Sequence, residues 1–267
     1  GKDIYEVANF AMRKVKGGLG VATVAANTAF AAITGVSIAS ASVFARVSVP
    51  EMRRFGYTPR FAVGVVAGSS VLGMLIPPSV MLIIYAIVTE LSVAAMFKAG
   101  IVPGLILALS YIALIVCMAV FFPNYIGGQD AKSRAYAEEQ SVLSGMEVAK
   151  KIAPFVVLIL LVLGGIYGGL FTPTEAGAVG AMGALVIAIL KRKLTRPVFW
   201  RVLGETGNIV ASLLLLIVAA TMYSRMLAIT GLPTEFGVWL GGTDLGLLGI
   251  LTIYVVMLII MGTILDT

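Results

Sequence analysis

Apolar, charge-free stretches recur along the chain at residues 17–45, 61–89, 99–129, 152–174, 206–224 and 245–265, and charges gather in the short segments between them. Each stretch is close to the roughly 20 residues that a helix needs to cross a bilayer. The pattern predicts an all-α polytopic membrane protein.

The run at 61–89 is broken in its middle by Gly73-Met74-Leu75-Ile76-Pro77-Pro78-Ser79. Adjacent prolines remove two backbone donors and clash with the preceding turn, at about 3 kcal/mol or more in a helix interior. In hydrocarbon the released carbonyls need a cavity, an ion or a neighbouring helix. The expected element is a discontinuous transmembrane helix, a device by which secondary transporters expose carbonyls to a coupling cation.

The run at 17–45 is built of small residues and carries Thr34, Gly35, Ser37, Ser40 and Ser42 near its centre. Small residues allow close helix packing, and Gly with hydroxyls in mid-run permits a chain reversal. Basic residues flank both ends, which predicts a re-entrant hairpin entering and leaving at the cytoplasmic face. A single small-residue span is the other reading.

Four segments follow. Residues 1–16 read as an interfacial amphipathic helix with Ile4, Val7, Ala8 and Ala11 on one face. Residues 17–123 form a transport-type core of hairpin, broken helix and following span, the last opening at Pro103-Gly104 and ending at Pro123. Residues 124–151 are a polar, cytoplasmic linker. Residues 152–267 hold further spans, with breaks at Thr172-Pro173 and at Gly231-Leu232-Pro233. The chain starts at Gly and stops at Thr267 directly after an apolar run, so it reads as an internal piece of a longer membrane protein.

Composition narrows the chemistry. Hydrophobic residues make up 60% and charged residues 12%. The net charge of +6 follows the positive-inside rule and implies no nucleic acid. With no His and only Cys117, Cys/His zinc sites, imidazole bases and internal disulfides are excluded. Gly17-Gly18-Leu19-Gly20 lacks the Gly-Lys-Ser/Thr ending of a phosphate-binding loop. The reading is of a non-enzyme with no cofactor and no transition metal.

Hydroxyl and carbonyl oxygens around Gly35, Ser37, Ser40 and the Gly73–Ser79 break suit a weakly held monovalent cation better than a divalent one. The half-helix starting at Ser79 offers amide donors and a positive dipole end to an organic carboxylate. Ser40 and Ser79 are the candidates for contact with substrate. Thr174, Glu175 and Asp266 are weaker choices: Glu175 also suits a first-turn cap with Thr172, and Asp266 suits either an interfacial cap or a site.

Several motifs stand in one order: Thr34-Gly35-Val36-Ser37-Ile38-Ala39, Pro50-Glu51-Met52 with Gly56-Tyr57, Leu72-Gly73-Met74-Leu75-Ile76-Pro77-Pro78-Ser79, Ala99-Gly100-Ile101-Val102-Pro103-Gly104, and Phe171-Thr172-Pro173-Thr174-Glu175-Ala176. In this the chain resembles the large membrane subunit of tripartite ATP-independent periplasmic (TRAP) transporters. That family often has Ser-Gly-Ser-Ser where Thr34-Gly35-Val36-Ser37 stands, so one hydroxyl is absent at Val36. The resemblance implies a sodium-driven, elevator-type importer of organic acids such as C4-dicarboxylates or sialic acid, in the bacterial or archaeal inner membrane. Its partners would be a periplasmic substrate-binding protein and a small four-helix membrane subunit, separate or fused. It also implies inverted repeats, the second incomplete here, and a sodium site framed by the hairpin tip and the Pro-Pro break, which carries over to Gly35, Ser37, Gly73 and Pro77. A carboxylate symporter without a binding protein, or a non-transporting membrane subunit, remains as an alternative.

Overall fold

A computed structural model describes residues 1–12, 15–127, 144–243 and 246–264. Among these, five helices are long and apolar enough to span a bilayer: Val93–Phe121, Gly145–Tyr167, Pro173–Leu190, Arg196–Thr230 and Gly246–Thr263. Pro59–Leu75 and Val80–Val88 form an apolar pair bent by 42° at its break, the geometry of a broken span or a re-entrant loop. The described elements are all helices, save one isolated bridge between Tyr57 and Gly127. The protein is thus an all-α, multi-pass membrane protein.

Helix α1 (Lys2–Met12) packs on α2 (Gly18–Thr34) and buries Ile4, Tyr5, Val7 and Asn9. Ala11, expected on the apolar face, is exposed in the last turn. The Glu6 carboxylate pairs with Lys151 at 2.5 Å and Asp3 with Lys191 at 3.2 Å. Both pairs are partly solvated, so each is worth less than about 1 kcal/mol. Docking of α1 therefore rests mainly on its buried face.

The small-residue run folds back on itself. Helix α2 ends where Gly35 takes a left-handed φ of 63°, its amide donating to the Ala31 carbonyl at 3.0 Å. Val36 is extended and starts α3 (Ser37–Arg54) in the opposite sense. Phe30 and Phe44, on the two arms, meet edge-to-face with centroids 5.6 Å apart. A glycine at the reversal removes the 1–2 kcal/mol cost of a left-handed residue bearing a Cβ.

Helix α4 (Pro59–Ser70) starts with Thr58 accepting the Phe61 amide and Pro59 at its first position. It continues through α5 (Leu72–Leu75), breaks at Ile76–Ser79, and resumes as α6 (Val80–Val88). Helix α7 (Val93–Phe121) begins ten residues earlier than the Pro103-Gly104 signal implied, capped by Ser92. Pro103 thus lies inside the helix, where its flanking glycines let α7 approach the break. A Cβ on Gly100 would stand 2.8 Å from the Leu75 carbonyl oxygen, and one on Gly104 2.8 Å from Ile76 Cγ1.

One core joins the buried faces of α1 to α4 with α7, centred on Val24, Phe44, Met52, Phe61, Leu72 and Ile115. A smaller one gathers Phe97, Ile166 and Ala176. The polar linker is shorter than its composition suggested, because a helix already starts at Gly145, where the Ser144 amide donates to Glu147 at 3.0 Å. That Ser-x-x-Glu spacing is a capping signal within the charged segment. The helix carries a π turn at Leu160–Gly164 and packs against Pro173–Leu190, whose Gly180 leaves room for Val162.

Residues 200–267 form a second compact unit. Its described helices end Arg196–Thr230 and continue as Leu232–Gly241 and Gly246–Ile264, after the reversal at Gly231 with φ 74°. Its apolar side chains face outward, Leu215 being 71% and Leu248 80% exposed. In water this would be an aggregation surface; in a bilayer it is the expected lipid- or helix-facing surface.

Candidate ion and substrate site

The hairpin tip and the Pro-Pro break, 40 residues apart in sequence, are in direct contact. The Val80 amide donates to the Gly35 carbonyl at 3.1 Å. A Cβ on Gly35 would fall 2.2 Å from the Pro78 carbonyl oxygen, and one on Gly73 3.0 to 3.1 Å from the peptide joining Val36 to Ser37. Glycine at both positions is therefore what allows two backbones to touch. Gly35, Gly73 and Pro77 are buried and Ser37 is half-buried, so the four sodium candidates converge.

The break leaves a particular donor deficit. Pro77 and Pro78 have no amide hydrogen, so the carbonyls of Gly73 and Met74 lose the donor that a continuous helix would supply four residues on. Ser79 repairs one of them: its hydroxyl donates to the Met74 carbonyl at 2.5 Å. Among the described residues no side-chain donor makes such a repair at the Gly73 carbonyl, and the Gly73 backbone itself stands against the Val36–Ser37 peptide of the tip. Among the described residues the Ser37 hydroxyl has no hydrogen-bond partner either. Together they supply neutral oxygen ligands of the kind a monovalent cation takes.

The substrate candidates fare differently. Ser79 is fully buried and its hydroxyl is engaged with Met74. Ser40 is also fully buried, and donates to Asn27 Oδ1 at 2.8 Å; Asn27 Nδ2 donates in turn to Ser69 Oγ at 2.5 Å. This chain of bonds links α2, α3 and α4 below the tip. Sequence reasoning missed Asn27, although a lone amide in a charge-free run must find partners at membrane depth. The first amide of α6 is likewise taken by Gly35.

Beside the break lies a cavity of about 510 Å³, bounded by Ile33, Pro78, Ile83, Phe97, Val162 and Thr174 among others. Thr174 thus lines the same cavity as Pro78, whereas Glu175 is turned to its own helix end. The Glu175 carboxylate accepts from the Thr172 amide at 2.8 Å and hydroxyl at 2.9 Å, and its amide donates to Thr172 Oγ1 at 3.3 Å. That is a reciprocal cap. Asp266 lies outside the described residues. Among the described residues there is no cluster of three or more Cys, Asp or Glu side chains fit for a metal ion.

A hairpin packed on a Pro-broken helix pair, both inside an all-helical membrane protein, is an arrangement that recurs among membrane transport proteins. The whole chain, residues 1–267, matches the family described as tripartite ATP-independent periplasmic transporter, DctM component, and the chain belongs to that family. It is 34% identical to the C4-dicarboxylate TRAP transporter large permease protein DctM of Pseudomonas aeruginosa, over 91% of this chain and 55% of that protein. It is 30% identical to the sialic acid large permease SiaM of Vibrio cholerae, over 86% and 52%. With the isethionate permease DctMQ of Oleidesulfovibrio alaskensis the identity is 27%, over 98% and 40%. The chain spans about half the length of the curated relatives it matches.

Proposed function

We propose that this chain is part of the membrane permease of a sodium-coupled, binding-protein-dependent importer of organic acids in the inner membrane. The observation that carries the reading is the contact of the Gly35 tip with the Gly73–Ser79 break. It brings the Gly73 backbone, whose carbonyl has no amide donor at Pro77, against the tip that carries the Ser37 hydroxyl, which has no hydrogen-bond partner among the described residues. Sodium is the ion that these neutral oxygens suit, with Gly35, Ser37 and Gly73 as ligand positions and Pro77 as the residue that frees the Gly73 carbonyl. Relatives named for C4-dicarboxylate and sialic acid support a carboxylate substrate. The fused name of the isethionate relative supports a small membrane subunit as partner, beside a periplasmic substrate-binding protein. Elevator-type movement of an inverted-repeat core belongs to the same reading. Sodium entering in excess of substrate charge gains about 2.3 kcal/mol per 100 mV for each net charge.

The test is uptake into proteoliposomes holding the intact permease, its small subunit and its binding protein, with and without a sodium gradient. Uptake that needs both sodium and the binding protein is the expected result. Sodium-dependent uptake without the binding protein would place it among simpler carboxylate symporters. Uptake without gradient dependence would overturn sodium coupling, and no uptake from folded protein under any gradient would overturn the transport reading.

A further inference from the structure

The outer surface between α4 and α7 carries a second feature, remote in character from the ion site. A groove of about 160 Å³ is lined by Arg60, Gly64, Tyr111, Leu114, Met118 and Tyr125 among others. Its ends are built differently. At one, the start of α4 is tied to the short helical turn Pro123–Ile126 that follows α7: the Thr58 amide donates to the Ile126 carbonyl at 2.8 Å and the Thr58 hydroxyl to the Tyr125 carbonyl at 2.9 Å. This holds Arg60 and Tyr125, both exposed, at the same end of the groove. At the other, the Tyr111 ring covers Gly68, approaching the position of a Cβ there to 3.4 Å. Between them Gly64 leaves the floor open, with no atom within 4 Å of where its Cβ would be.

We propose that this groove binds a phospholipid with an anionic headgroup, the phosphate on Arg60 and an acyl chain over Gly64 towards Tyr111. Arg60 makes no ion pair with any described residue, and a guanidinium suits a phosphate bidentately. Among the described residues that line it, the groove offers no carboxylate to the ammonium of a zwitterionic headgroup. Apolar Leu114 and Met118 match an acyl chain, and Tyr125 is the type of residue that sits at headgroup level. A protein helix in the same place would strip water from Arg60 without a counter-charge, which is costly. Basic pockets between membrane helices bind anionic headgroups for this reason.

The experiment measures lipid binding to the purified intact permease subunit by native mass spectrometry and by thermal shift, with phosphatidylglycerol against phosphatidylcholine. Phosphatidylglycerol is expected to bind more tightly and to raise the melting temperature further. Arg60→Gln should weaken its binding roughly fivefold, which is about 1 kcal/mol for one basic residue near an anionic surface. Arg60→Lys should keep most of the preference, and Gly64→Leu should reduce binding of both lipids by filling the floor. Should Gly64→Leu fail to fold, the two Arg60 variants decide the question, since that side chain is exposed. Equal binding of the two lipids, or an unchanged preference in Arg60→Gln, would overturn the proposal. So would release of the bound phosphatidylglycerol when the small subunit docks, which would assign the groove to a protein helix.

Discussion

The amide of Val80 donates to the carbonyl of Gly35 across 3.1 Å, joining the first residue of one half-helix to the reversal of a hairpin. This single bond sets the distance between the two backbones that make the candidate ion site. Gly35→Ala should break it, because a left-handed Ala costs about 1–2 kcal/mol and its Cβ would overlap the Pro78 carbonyl at 2.2 Å. The expected outcome is a lower melting temperature and loss of any sodium-induced thermal shift. Gly204→Ala, whose Cβ meets open space, is the control and should leave the sodium response intact.

Ser79→Ala should destabilise the protein by about 0.5–1.5 kcal/mol, the usual net worth of one hydrogen bond, by removing the donor to the Met74 carbonyl. Ser79→Thr keeps the hydroxyl and should recover much of the loss. If Ser79 served substrate instead, Ser79→Ala would lower uptake with no change in thermal midpoint.

Asn27 and Ser40 should be coupled. Either Asn27→Ala or Ser40→Ala removes one partner of a buried bond at 2.8 Å, and each should cost about 1–3 kcal/mol. The double variant should cost clearly less than their sum. Additive losses in a double-mutant cycle would show that the bond carries no energy.

Gly100→Val should separate α7 from the break, since even a Cβ there would meet both the Leu75 carbonyl and Leu82 at 2.8 Å. Overpacking of this kind typically costs about 1–3 kcal/mol. Here it should also weaken sodium dependence, because the Leu75 side of the break is pushed away. A stability loss with unchanged sodium dependence would confine Gly100 to packing.

Glu175→Ala should lower the thermal midpoint slightly, since it removes one half of the reciprocal cap with Thr172. Transport parameters measured on the remaining folded protein should be unchanged. A raised KM for a carboxylate substrate would instead give Glu175 a binding role.

Much of this architecture was legible along the chain because its causes are local. Charge-free runs of bilayer length announce spans, Pro77-Pro78 cannot continue a helix, and Gly35 can reverse one. The cap at Thr172–Glu175 follows from spacing alone. Less legible was the start of α7 at Val93, where Pro103 looked like an opening residue. Proline in an interior is tolerated there because Gly100 and Gly104 press the helix against the break, a contact between distant segments.

By itself, the sequence determined the class of protein and the two places where its helices must break, since hydropathy and the backbone chemistry of Gly and Pro act within a few residues. Only the tertiary structure decided which polar groups remain free at those breaks. Ser79 and Ser40, hydroxyls of the same kind as Ser37, are consumed by Met74 and Asn27. Hydrogen bonding is exclusive and short-ranged, so which of several equal hydroxyls is left for a ligand depends on what folding brings within about 3 Å.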